Sequence, residues 1–153
     1  MIRRPERHSL RAIARRGWSR GVILALVAAV GRLNTAGATL SSRMAQALAG
    51  GSLSRETADA VNRELLAFER TWLHEPGIPG RAWFKHLLYA PRYTYAAMSL
   101  PGVTEAAEAG DWPRAQAQLA LLVAKADENS ATITRAAALL NPSIVEEDRE
   151  PLT

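Results

Sequence analysis

Residues 22–47 read VILALVAAVGRLNTAGATLSSRMAQA, and their spacing decides the fold class. Ile23, Leu26, Val30, Leu33, Gly37, Leu40, Met44 and Ala47 recur at alternating intervals of three and four. Such a series stays on one side of a 3.6-residue helix and would scatter across both faces of a strand. The stretch therefore predicts a long amphipathic helix, stopped by Gly50-Gly51, where glycine accepts the left-handed cap conformation without steric cost.

Beyond these glycines, Ser54 is suited to cap a second helix, with Glu56 in a first turn that favours an anion. Its apolar face is Ala58, Val61, Leu65, Phe68 and Trp72, and Pro76-Gly77 is the predicted stop. A short turn of helix is expected at Val103–Ala109, closed by Gly110. Asp111 then caps a last long helix with Pro113 in its first turn, where a missing N–H costs nothing. Ala115, Leu119, Leu122, Ala126, Ile133, Ala137 and Leu140 form its buried stripe, and Asn141-Pro142 ends it. Alanine and leucine dominate while β-branched residues are sparse, which favours helix throughout. The prediction is all-α: an up-and-down bundle of three to four helices.

The 153 residues suffice for one domain with its own core. Charge divides the chain into three parts: a basic arm at 1–20, a body at 21–142 and an acidic tail at 143–153. Seven of the 19 basic residues but one of the 15 acidic ones fall in the first twenty positions, which leaves 12 against 14 elsewhere. The net charge of +4 is thus a property of an arginine-rich arm, expected to be flexible. The tail carries Glu146, Glu147, Asp148 and Glu150 against Arg149. No basic stripe interleaved with aromatics crosses the body, so a nucleic-acid partner is not expected. Cysteine is absent, which excludes disulfides and thiolate metal sites.

No constellation for catalysis is present. His8, His74 and His86 do not share a helical face, and no H-E-x-x-H, G-x-S-x-G or phosphate-binding glycine loop occurs. Arg15-Arg16-Gly17-Trp18 ahead of the apolar run Val22–Val30, with Ala36-Gly37-Ala38 after it, has the outline of an export signal cleaved near Ala38. The stripe continues in register past Ala38, however, as a structural helix should, so a cytoplasmic location is preferred to export. The run Val22–Val30 by itself is far too short to span a bilayer. Membrane contact through the arm is not expected.

Between the second and third helical segments, Glu75–Pro101 has a different texture. Pro76, Pro79, Trp83, Phe84, Tyr89, Pro91, Tyr93, Tyr95 and Pro101 crowd into it. A loop this long is commonly functional or disordered, and five aromatics argue for order.

This loop also carries a resemblance. Phe68-Glu69-Arg70-Thr71-Trp72-Leu73, then Gly77-Ile78-Pro79-Gly80-Arg81-Ala82-Trp83-Phe84-Lys85-His86-Leu87-Leu88-Tyr89-Ala90-Pro91, then Tyr95 and Leu100-Pro101-Gly102-Val103, resembles the transferrin receptor-like dimerisation domain. That domain is the C-terminal helical part of the M28 family of zinc peptidases related to glutamate carboxypeptidase II. The resemblance covers about Val22–Leu140 and is densest in the loop. It implies a non-catalytic helical domain that makes homodimer contacts and lends a loop to a neighbouring peptidase active site. Zinc would belong to that separate peptidase domain, so no catalytic residue, metal ligand or cofactor is expected in this chain. The family's lysine–tyrosine pair that meets an acidic substrate side chain corresponds to Thr94 and Tyr95 here, so the lysine is missing. Expected partners are a second copy or a peptidase-domain chain, the alternative being one half of a split peptidase acting in trans. The residues expected to anchor the loop or an interface are Arg81, Trp83, Phe84, His86, Tyr89 and Tyr93.

Overall fold

A computed structural model describes residues 18–51, 53–91 and 97–141. Most of the arm and the whole of the tail 143–153 lie outside these, as do Tyr93, Thr94 and Tyr95. Among the described residues are four helices and one small sheet: α1 (Arg20–Ala49), α2 (Arg55–Thr71), β1 (Tyr89–Pro91), β2 (Ala97–Ser99), α3 (Pro101–Glu108) and α4 (Trp112–Leu139). The all-α expectation holds, with one addition. The two strands pair antiparallel, Ala90 opposite Met98, and form the stem of a hairpin inside the long loop.

Helix α4 is the axis against which α1, α2 and α3 pack. Its N-cap is Asp111, whose side chain accepts from the Arg114 amide at 3.1 Å. Ser54 caps α2 in the same way through the Thr57 amide. Each satisfies an amide left without an intrahelical carbonyl. All seven stripe residues of α4 are buried.

Three contacts set the alignment of α1 on α4. Trp18 meets Trp112 edge to face at 5.8 Å, Arg32 pairs with Asp127 at 2.7 Å, and Arg43 donates to the Ala137 carbonyl at 2.8 Å. The partners are 94 or 95 positions apart at all three levels, so the two helices run parallel. Helix α2 returns in the opposite sense: Arg70 and Thr71 lie beside Lys125 and Glu128, whereas Glu64 pairs with Arg135 at 3.0 Å. The order is up, down, up.

The core has two parts along α4. At one end Leu40, Val61, Ile133, Ala136, Ala137 and Leu140 join the three long helices, with Leu65 and Phe68 packed against them. At the other, Ala29, Leu119, Leu122 and Ala126 meet Trp72 and Leu87 from the loop and Val103 from α3. Between them Asn129 is fully buried, and among the described residues neither its amide nitrogen nor its oxygen finds a partner.

Two boundaries differ from the sequence expectation. Helix α2 ends at Thr71 rather than Pro76-Gly77, because the Trp72 carbonyl accepts from the Leu87 amide and draws the chain into the loop. Helix α3 begins at Pro101, preceded by Leu100 in the left-handed region at φ 48°. The α1 stripe is also turned. Leu26, Leu33, Leu40 and Ala47 face the core as expected, but their companions are Val22, Ala29 and Ala36, while Ile23, Val30 and Met44 are exposed. Finally, α1 is a continuous thirty-residue helix that is long and apolar enough, by length and composition, to cross a membrane. The run Val22–Val30 is only part of it, since the helix continues through Leu33, Ala36, Gly37, Ala38 and Leu40 with Arg32 as the single charge before Arg43. Ala38, the outlined cleavage position, lies in mid-helix.

Candidate interaction site: the loop between α2 and α3

The loop is built on backbone hydrogen bonds. His74 N–H donates to the Lys85 carbonyl at 2.8 Å and Leu87 N–H to that of Trp72 at 3.0 Å, bringing Leu73 opposite His86. Inside this pair, Ile78 N–H donates to the Phe84 carbonyl, and the Arg81 and Phe84 amides close two tight turns. Ile78 fills the middle at 1% exposure. Gly77 makes that fold possible. It has φ 77°, and a Cβ there would lie 2.2 Å from the Ala82 carbonyl oxygen. Only glycine tolerates both conditions.

Arg81 fastens the loop to the rest of the molecule. Its guanidinium pairs with Glu105 of α3 at 2.5 Å, donates to the Pro91 carbonyl at 2.5 Å, and stacks 4.9 Å from the Phe84 ring centroid. Planar, multidentate arginine can hold a carboxylate, a carbonyl and an aromatic face at once. Glu105, its ion-pair partner, lies 24 positions away in the sequence.

His86 does a similar task beside it. The Leu88 amide donates to Nδ1 at 3.2 Å, so Nδ1 is an acceptor, which leaves Nε2–H to face Glu69 Oε1 at 3.3 Å. Its ring lies 4.0 Å from that of Tyr89. Lys85 bonds the Glu75 carbonyl. Among the described residues no group of three or more His, Asp or Glu could hold a metal ion.

On this fixed frame several large side chains face water. Trp83 is 72% exposed, with Phe84 6.1 Å away, and Tyr89 and Leu73 are about half exposed. Of the expected anchors, Arg81, Phe84 and His86 hold the loop together from within, while Trp83 and Tyr89 project from it. Tyr93, Thr94 and Tyr95 are three of the five residues between β1 and β2, all outside the described residues. The hairpin stem that brackets them went unforeseen, because three-residue strands of Tyr-Ala-Pro and Ala-Met-Ser give no alternation long enough to read.

The family model of the transferrin receptor-like dimerisation domain matches residues 22–140, from the start of α1 to the end of α4. The chain belongs to that family. Over 62 residues, 40% of this chain, it is 37% identical to an inactive zinc metalloprotease of Schizosaccharomyces pombe. It is 44% identical over 48 residues, 30% of the chain, to a probable glutamate carboxypeptidase of Zea mays, and 42% over 50 residues, 31% of the chain, to one of Arthroderma benhamiae. The matched stretches amount to 8, 7 and 7% of those relatives' lengths, so the chain covers a small fraction of each. For a transferrin receptor-like dimerisation domain, the loop's fixed frame and exposed aromatics are the features to explain.

Proposed function

We propose that this chain is a non-catalytic interaction domain, folded as one unit over residues 21–142, that forms a homodimer through the loop between α2 and α3. Trp83, Tyr89 and Leu73 are the contact residues, and Arg81, Phe84 and His86 hold them in position. The observation that carries the proposal is a large, exposed tryptophan on a backbone fixed at Gly77, Ile78 and Arg81. Rigid presentation lowers the ordering cost of association, and buried tryptophan and tyrosine contribute strongly at protein interfaces. Membership of a dimerisation-domain family supports the same reading.

The test is light scattering over a concentration series. The wild-type chain is expected near twice 16.6 kDa, and Trp83→Ala near 16.6 kDa with an unchanged melting temperature. A wild-type chain that stays monomeric, or a Trp83→Ala chain that still dimerises, rejects this assignment.

A second reading rests on the chain's likeness, over 48 and 50 residues, to glutamate carboxypeptidase relatives. In it, a peptidase-domain chain takes the place of the second copy, supplies the zinc, and receives Tyr95 and Thr94 at its substrate site. A monomer whose addition raises the activity of such a chain, with Tyr95→Phe reducing that gain, supports it.

A further inference from the structure

A separate surface lies between α2 and α4. Arg63, Leu66, Ala67 and Arg70 on one side and Lys125 and Glu128 on the other line an open groove of about 490 Å³. The two arginines are two turns of α2 apart, about 10 Å along the helix axis, and Leu66 stands between them. Leu66 is 62% exposed.

Charge around this groove is unevenly matched. Glu64 pairs with Arg135 at 3.0 Å, Glu69 faces His86 at 3.3 Å, and Glu128 holds Lys125 at 2.8 Å. Asp59 lies one turn before Arg63 and makes no ion pair with it. Among the described residues the guanidinium groups of Arg63 and Arg70 have no hydrogen-bond or ion-pair partner. The acids on the groove's border are thus committed elsewhere, and two free cations flank an exposed apolar side chain.

That combination selects among occupants. A second copy is a poor one, because packing about Leu66 sets arginine against arginine in either sense: Arg63 against Arg70, or each against itself. A nucleic acid would find no aromatic ring in the groove on which to stack a base. A bilayer needs a broader apolar face than one leucine provides. An acidic protein segment meets every demand, with two carboxylates at the arginine spacing and an apolar side chain between them for Leu66. Arginine can hold a carboxylate through two parallel N–H donors, which gives the contact direction as well as charge.

We propose that the groove between α2 and α4 is a docking site for an acidic segment of a different protein, held by Arg63 and Arg70 around Leu66. It is separate from the loop contact and does not depend on it.

The experiment is an amide-shift titration of the isotope-labelled 153-residue chain with an alanine-based helical peptide. The peptide carries two glutamates at the spacing of Arg63 and Arg70 with a leucine between them, and its counterpart carries glutamines. Shifts are expected around Leu66 and Lys125, with the glutamine peptide bound about tenfold more weakly. Arg63→Gln/Arg70→Gln should weaken the acidic peptide by the same factor with an unchanged melting temperature, and Leu66→Ser should weaken both peptides. In about 1 M salt the difference between the peptides should largely vanish. Equal affinity for the two peptides, affinity retained by Arg63→Gln/Arg70→Gln, or shifts gathered at Leu73, Trp83 and Tyr89 instead would each overturn the proposal. So would an absence of shifts up to about millimolar peptide.

Discussion

The loop between α2 and α3 and the first three turns of α1 both hold large apolar side chains in water, and they do so by opposite means. In the loop the backbone is irregular, and Trp83 and Tyr89 are presented by a frame with a buried centre at Ile78 and a fastening at Arg81. In α1 the backbone is regular and needs no fastening. Its stripe is exposed because the helix is apolar around more of its circumference than α4 can cover. An irregular segment can therefore aim a few side chains at one place, as docking to a protein requires. A straight helix offers only a row along a line.

Trp72 belongs to both regions' support, since its carbonyl starts the loop and its ring is packed in the core beside Ala29 and Leu87. Trp72→Ala should cost about 3–5 kcal/mol in urea unfolding, with the cavity and lost transfer energy acting together. Gly77→Ala acts on the loop alone. A left-handed conformation costs about 1–2 kcal/mol without glycine, and the clash with the Ala82 carbonyl adds to it. A total loss of about 3 kcal/mol is expected, with amide exchange at Ile78 and Phe84 accelerated and α1 unaffected.

Arg81→Ala should cost about 2 kcal/mol, because Glu105 is left partly buried without its guanidinium and the Pro91 carbonyl loses a charged donor. Dimerisation should weaken with it, even though Arg81 is itself only 17% exposed. Asn129→Leu has the reverse sign. Replacing a fully buried, unpartnered amide with an apolar side chain of similar volume should raise the stability by about 1 kcal/mol, read from the urea midpoint. The smallest effect is at the exposed residues. Trp83→Ala and Val27→Ser should each change stability by less than about 0.5 kcal/mol, and Trp83→Ala should weaken association as well. A large loss of stability in either would mean that the side chain is packed and not presented.

Much of the bundle was legible because its signals are local. Ser54 and Asp111 cap the helices they were expected to cap, and glycines mark the turns at Gly50-Gly51 and Gly110. The loop's order was legible from its aromatics, but its mechanics were not. Neither the pairing of Arg81 with Glu105, 24 positions away, nor the hairpin stem leaves a trace in short-range spacing. Leu100 in the left-handed region could not be anticipated either, because leucine is ordinarily excluded from it and the chain is held there by the Leu88 carbonyl.

The two longest helices divide what each level of structure decides. The sequence alone determined that both are helices and gave the apolar stripe of α4, though not the burial of Asn129, Thr132 and Ala136 beside it. Helix α4 packs against α1, α2 and α3, and its apolar stripe is covered by them, although Leu139 is exposed. On α1, two overlapping stripes satisfy the same spacing of three and four, one through Ile23, Val30 and Met44 and the other through Val22, Ala29 and Ala36. Both share Leu26, Leu33, Leu40 and Ala47. Only the tertiary structure chose between them, by fixing α1 against α4 at Trp18, Arg32 and Arg43, because a helix apolar on most sides does not specify the face it turns to a single neighbour.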